Sequence, residues 1–191
     1  MTTLLKALET DIAITVEQAR RHHGVRLEIL EHLAREEMID LLDESVKISK
    51  RANISQEVTF VRLVGQTVNL DWRLRHLAAL AEIRFAYGIE ANDWILRTLE
   101  NPKDFKNRFR IDVIPDAVWS SPMGVIAVEF DAGSHDVTEL RKKMAAYSRN
   151  SRWHHQWWFA STLTRAENIV RVLQDSGVHP LKWHVGLVDW L

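Results

Sequence analysis

The chain has no cysteine, which removes disulfides, thiolate metal sites and thiol nucleophiles together. Any chemistry it performs rests on oxygen and nitrogen groups. Proline occurs only at 102, 115, 122 and 180, and there are seven glycines in 191 residues. With 46% apolar and 27% charged residues, the composition is that of a globular chain rather than a disordered or fibrous one. Neither sign of charge dominates: 25 Lys+Arg stand against 26 Asp+Glu, so a nucleic-acid site has to be a local patch. No run of about 18 apolar residues is present, and Met-Thr-Thr-Leu-Leu-Lys at the start lacks the flank of a signal peptide. The expectation is a cytoplasmic protein without a membrane partner. Tryptophan is the one abundant rarity. Of eight, Trp153, Trp157, Trp158, Trp183 and Trp190 fall in the last forty residues, where they serve a core, an interface or a base-stacking surface; core is the reading Trp usually earns.

The first seventy residues follow one pattern. Leu4, Leu5, Leu8, Ile12, Ile14, Val16 and Ala19 predict two short helices, broken at Thr10-Asp11 and restarted after Thr15, with His23-Gly24 as the stop. Apolar residues at three- and four-residue steps from Val25 through Leu42 predict a third helix. From Ser45 onward, Val46 and Ile48, a polar tip at 49–53, and Val58 through Gly65 predict two strands around a turn. Helix, turn, helix, hairpin is the layout of a winged helix, expected over residues 1–70, which places a helix in the DNA major groove and a basic hairpin tip on the backbone. Arg20, Arg21 and Arg26 at the turn, with Lys47, Lys50 and Arg51 at the tip, are the candidate phosphate contacts on double-stranded DNA. The acidic stretch Glu31, Glu36, Glu37, Asp40, Asp43, Glu44 is expected to face away. The alternative is a small helical module that packs on a partner or on a second copy of the chain.

Residues 71–191 form the second expected domain. Asp71 to Tyr87 is the longest helix signal and Gly88 stops it. A basic stretch follows at Lys103, Lys106, Arg108 and Arg110. Residues 111–133 predict two strands around Ser-Ser-Pro-Met-Gly, with Asp116 at the start of the first and Glu129 and Asp131 in the second, on one face by alternation. Three acids on rigid strands suit Mg²⁺, a hard ion that prefers oxygen ligands, with Asp116 and Glu129 as its ligands; the alternative is a solvated strand face. Arg141, Lys142, Lys143, Arg149 and Arg152 form a basic run that leads into Trp153, either a nucleic-acid track or a solvated helix face. His135 and the pair His154-His155 lack the i, i+4 spacing of a metal site. No Gly-x-Ser-x-Gly and no phosphate-binding glycine loop is present.

Pro115-Asp116-Ala117, then Val128-Glu129-Phe130-Asp131-Ala132-Gly133, then a helix with Leu140, Lys143 and Tyr147 resembles the replication-relaxation family of plasmid and mobile-element proteins. His76 before the Ala-Leu helix, and the strand Trp157 to Ser161 followed by Arg165, fit the same order, so the resemblance spans roughly residues 10 to 175. It implies an α+β protein: a winged helix followed by a PD-(D/E)xK nuclease-like mixed sheet flanked by helices, acting on the DNA of a plasmid, phage or integrated element. It also implies Asp116, Glu129, Asp131 and Lys143 as the catalytic set if the domain cleaves. The departure is Asp131, which stands where the nuclease motif has its lysine; Lys142 or Lys143 on the next helix is the candidate replacement. Otherwise the domain is a binding platform, with Lys142, Arg149 and Arg152 as DNA contacts. A homodimer is expected, with the C-terminal tryptophans as its apolar interface.

Overall fold

The computed structural model describes residues 2–47, 53–66, 71–97 and 113–191. Among these residues the chain is α+β, with six α-helices and two sheets. By internal contacts it divides into two compact units, one of residues up to Ala91 with Asp189–Leu191, the other Asn92–Val188.

In the first unit the order is α1 (Thr2–Asp11), β1 (Ala13–Thr15), α2 (Val16–His23), α3 (Leu27–Arg35), β2 (Ile39–Lys47), β3 (Ser55–Leu63) and α4 (Asp71–Ala86). The break and restart expected between α1 and α2 are there. Thr15 caps α2 by accepting from Gln18 N at 3.1 Å, while Gln18 Oε1 accepts from Thr15 N at 2.9 Å, a reciprocal box that satisfies two helix-end donors. Replacing Thr15 by alanine is expected to cost about 1 kcal/mol, read as a lower urea midpoint by circular dichroism. Gly24 ends α2 at φ 65°, a left-handed conformation natural to glycine.

The third helix is shorter than its spacing predicts. It stops at Arg35, Glu37 turns the chain at φ 54°, and Ile39–Lys47 is a strand. The residues that read as helical steps, Ile39, Leu41 and Leu42, instead pair antiparallel with β3 in a nine-residue ladder from Ile39↔Leu63 to Lys47↔Ser55. A partner strand of equal length outweighs a weak local preference. The sheet order is β1-β3-β2. Leu4, Leu8, Ile14, Leu30, Leu33 and Val61 form the core with Ala81 of α4. Gln18 Nε2 also donates to Ala78 O at 2.8 Å. These contacts put α4 in the first unit, so the contact division falls at Ala91 and not at residue 70.

The second unit carries β4 (Trp94–Leu96), β5 (Ala117–Ser121), β6 (Gly124–Asp131), α5 (Val137–Arg149), β7 (His155–Ala160), α6 (Leu163–Asp175) and β8 (Trp183–Leu187). The sheet order is β4-β5-β6-β7-β8. β4, β5 and β6 run antiparallel, whereas β6, β7 and β8 are parallel, each joined by a helical crossover as parallel pairing requires. At the β5–β6 turn Gly124 has φ 107°, and a Cβ there would lie 2.4 Å from the His154 ring. Leu140, Met144 and Tyr147 of α5 and Ile169, Val172 and Leu173 of α6 pack in one core with Val118, Ala127 and Trp158 of the sheet.

Trp153, Trp157, Trp158 and Trp190 are buried, so they are core residues and not a stacking surface. Trp190 stacks on Phe60 at 6.3 Å between ring centres. This corrects its expected place in a dimer interface: the indole is already enclosed by the chain's own first unit. Among the described residues no helix is long and apolar enough to cross a membrane.

Candidate active site at the end of the mixed sheet

Antiparallel pairing places the start of β5 beside the end of β6, with Ala117 opposite Val128. Asp116, the residue before β5, therefore comes next to Glu129. Asp116 Oδ2 accepts from Phe130 N at 3.0 Å, which locks this carboxylate to the β6 backbone. Glu129 is fully buried. Its Oε2 accepts from Lys143 Nζ at 2.6 Å, and its Oε1 accepts from the Tyr147 hydroxyl. Lys143 and Tyr147 are four residues apart on α5 and share one helix face. The structure thus brings together Asp116, Glu129 and Lys143 of the expected set and adds Tyr147.

The electrostatics are those of a crowded acid pair. Burial and the nearby Asp116 charge push Glu129 up to about 7, against the pull of Lys143 and Tyr147. Burial opposes the Lys143 charge, but Glu129 and Asp116 outweigh it and hold the ammonium above its ordinary value. Burial and the Glu129 charge also raise Tyr147, which keeps it a neutral donor. An acid whose folded value is raised binds its proton more tightly folded than unfolded. Its contribution therefore favours unfolding progressively as pH rises from 4.5 toward 7. The urea midpoint of Glu129→Gln relative to wild type is expected to improve between pH 5 and pH 8; a constant difference would contradict this.

Asp131 does not join the pair, contrary to the expected convergence of three acids. Its Oδ1 accepts from Gly133 N at 2.7 Å and Ser134 N at 3.0 Å, and its Oδ2 from Arg165 Nε at 3.0 Å and from Arg165 Nη2. Burial opposes its charge, but His135 and Arg165 hold the carboxyl at about 2. Asp131 is instead held by Arg165, 34 residues away. Among the described residues no group of three or more His, Asp or Glu is arranged to hold a metal. Arg165 and Tyr147 received no role from sequence. The four-residue spacing of Lys143 and Tyr147 was the available signal for the latter; nothing local marks the former.

The expected DNA contacts are dispersed. Arg20 is paired with Glu17 on the surface of α2. Arg21 donates to Leu191 O at 2.8 Å and lies 3.4 Å from Glu82 Oε1. Arg26, at the start of α3, and Lys47, at the end of β2, are exposed, as are Lys142, Arg149 and Arg152. Lys50, Arg51 and the basic stretch at 103–110 lie outside the described residues. Of the acidic stretch, Glu31, Glu36, Glu37 and Asp43 are exposed. With Leu30 and Leu33 buried, α3 exposes Glu28 and Glu31 beside Arg26 and Arg35, while Asp40 is neutralised by Arg62 at 2.9 Å. A nine-residue helix that buries one stripe leaves all its charges on the outer face.

Comparison of the chain with protein-family models, with curated proteins and with solved structures finds no match in any of the three.

Proposed function

We propose that this chain is a DNA-processing protein of the replication-relaxation type, in which a winged helix recruits double-stranded DNA and a PD-(D/E)xK-like unit cleaves it as a Mg²⁺-dependent endonuclease or nickase. One observation carries this reading: Lys143 Nζ lies 2.6 Å from Glu129 Oε2, beside Asp116. An acid pair and a lysine therefore stand together, as this reading requires, although Asp131 holds the motif lysine's place in sequence. Support for the first unit is its order of three helices and a hairpin around a β1-β3-β2 sheet. Cytoplasmic location and a mobile-element host belong to the same reading.

The residues fit a divalent cation in charge and donor type. Burial and the neighbouring Asp116 carboxylate raise the proton affinity of Glu129, and Lys143 is the cation bonded to it, a crowding of negative charge that a hard cation relieves. Mg²⁺ is commonly held by one or two carboxylates with substrate phosphates completing its shell, so Asp116 and Glu129 would hold it. When bound, such an ion activates water and stabilises charge on phosphate. The chain's own part is positional: Phe130 N fixes Asp116, Tyr147 fixes one oxygen of Glu129, and Lys143 holds the other while supplying a fixed positive charge beside the pair. Arg26, Lys47, Lys142, Arg149 and Arg152 are the exposed cations assigned to the DNA backbone.

A second reading, a non-cleaving DNA-binding scaffold, is favoured by the enclosure of Glu129, which is 0% exposed with both oxygens bonded. Incubation of supercoiled plasmid with the full chain in Mg²⁺ and in EDTA separates the two. Metal-dependent nicking supports the enzyme; a salt-sensitive gel shift without nicking supports the scaffold; neither signal points to a protein–protein adaptor.

A further inference from the structure

Asp131 stands at the sequence position where the nuclease motif has its lysine, and its side chain is paired with Arg165 and enclosed. The Asp131 side chain is 0% exposed and that of Arg165 14%. Among the described residues their contacts are to the frame around the site, the His135 ring 3.6 Å from Asp131 Oδ1 included. Asp131 closes the turn after β6 by accepting from Gly133 N and Ser134 N, and Gly133 takes φ 88° there, a conformation costly for other residues. Arg165, in the first turn of α6, grips Asp131 through Nε and Nη2, and its Nη2 also donates to His135 O at 2.6 Å. The next residue, Asp136, caps α5 by accepting from Glu139 N at 2.8 Å while Glu139 Oε2 accepts from Asp136 N. The turn therefore runs without a loose residue from the strand that carries Glu129 to the helix that carries Lys143. It sets both the start and the direction of α5.

We infer that Asp131 and Arg165 are positioning residues whose ion pair fixes the 131–136 turn and thereby delivers Lys143 and Tyr147 onto Glu129. Within the proposed function, on which this rests, the lysine of the motif has moved to α5 and Asp131 is the residue that makes the new location reproducible. An asparagine at 131 keeps the turn's acceptor oxygen and loses the ionic grip. Lysine at 165 keeps the charge and loses the two-pronged fork. Both variants loosen α5 relative to β6 without altering the acid pair or Lys143.

Two measurements on the full chain test this. The first needs no activity: a brief pulse of amine acetylation, read residue by residue by mass spectrometry, with the exposed Lys142 as internal reference. Wild-type Lys143 is expected to label much more slowly than Lys142, and Asp131→Asn to raise Lys143 labelling severalfold, with Arg165→Lys intermediate. Unchanged Lys143 labelling in both variants overturns the inference, and if Asp131→Asn does not fold, Arg165→Lys decides it alone. The second is plasmid nicking. Asp131→Asn is expected to lower kcat on the order of 10- to 100-fold with KM little changed, and to cost almost nothing further in a Lys143→Met background, since residues acting through one another are not additive. Fully multiplicative losses overturn it. A wild-type chain that does not nick refutes the proposed function, and the labelling result still stands for or against the positioning role.

Discussion

Under the proposed endonuclease reading, replacing Lys143 with methionine is expected to lower metal-dependent cleavage by about two to three orders of magnitude, the usual loss when one preorganised charge is removed from a reacting centre. DNA affinity should stay within about twofold of wild type, because a single cation among many phosphate contacts carries little of the binding. Methionine retains the length and apolar stem of the lysine, and the Lys143 side chain is only 17% exposed, so the packing of α5 survives. What changes is the carboxylate pair. Without the ammonium, Glu129 keeps only its bond from Tyr147 and still faces Asp116, so it holds its proton to higher pH. The variant's residual rate should therefore climb with pH more steeply than that of wild type. Glu129→Ala should be inactive at every pH. A Lys143→Met variant that cleaves at the wild-type rate would remove the lysine from the mechanism.

The second large effect is on stability. Arg84 of α4 holds Asp11 at the end of α1 through a two-pronged contact, Nε to Oδ1 at 2.8 Å and Nη2 to Oδ2 at 2.6 Å, and donates from Nη1 to Ile89 O at 3.1 Å. Its guanidinium lies 4.6 Å from the Phe85 ring centre. Both residues are buried, and burial raises Asp11 more than Arg84 lowers it. Removing one partner from such a pair leaves an uncompensated group in the core, at a cost of about 3–5 kcal/mol. Arg84→Ala is expected to lose that much in chemical denaturation followed by circular dichroism. Arg84→Met combined with Asp11→Leu should recover a large part, because an apolar pair of similar volume avoids the desolvation that the ion pair suffers. A single variant as stable as wild type would contradict the account of this pair as the link between α1 and α4.

Local signals were legible in proportion to how local their causes are. Thr15 with Gln18, and Gly24, marked the ends of α2 because a cap is made by residues three or four apart. Pro115-Asp116 and Glu129 marked two strands because alternation and a five-residue turn are also short-range. The acid pair followed from those strands, whereas Lys143 came from the family resemblance, with Lys142 left as its equal on the next helix. Ile39–Leu42 read as helix because nothing in that segment announces its partners in β3, eighteen or more residues on. Asp131 read as a third ligand because its real partner, Arg165, lies beyond a helix and a strand. The place of α4 in the first unit was hidden for the same reason: Gln18 to Ala78 and Asp11 to Arg84 are contacts across sixty and seventy-three residues.

The central claim is that Asp116, Glu129 and Lys143 form a working metal-dependent centre rather than a relic of one. The most direct measurement is the rate at which the purified 191-residue chain converts supercoiled plasmid to nicked or linear product, followed with Mg²⁺, with Mn²⁺ and with EDTA at a protein concentration that shifts all the DNA. The account predicts product with either metal, none with EDTA, and none for Glu129→Ala at the same DNA occupancy. Complete occupancy with no product in any metal, or product that Glu129→Ala leaves intact, would contradict it.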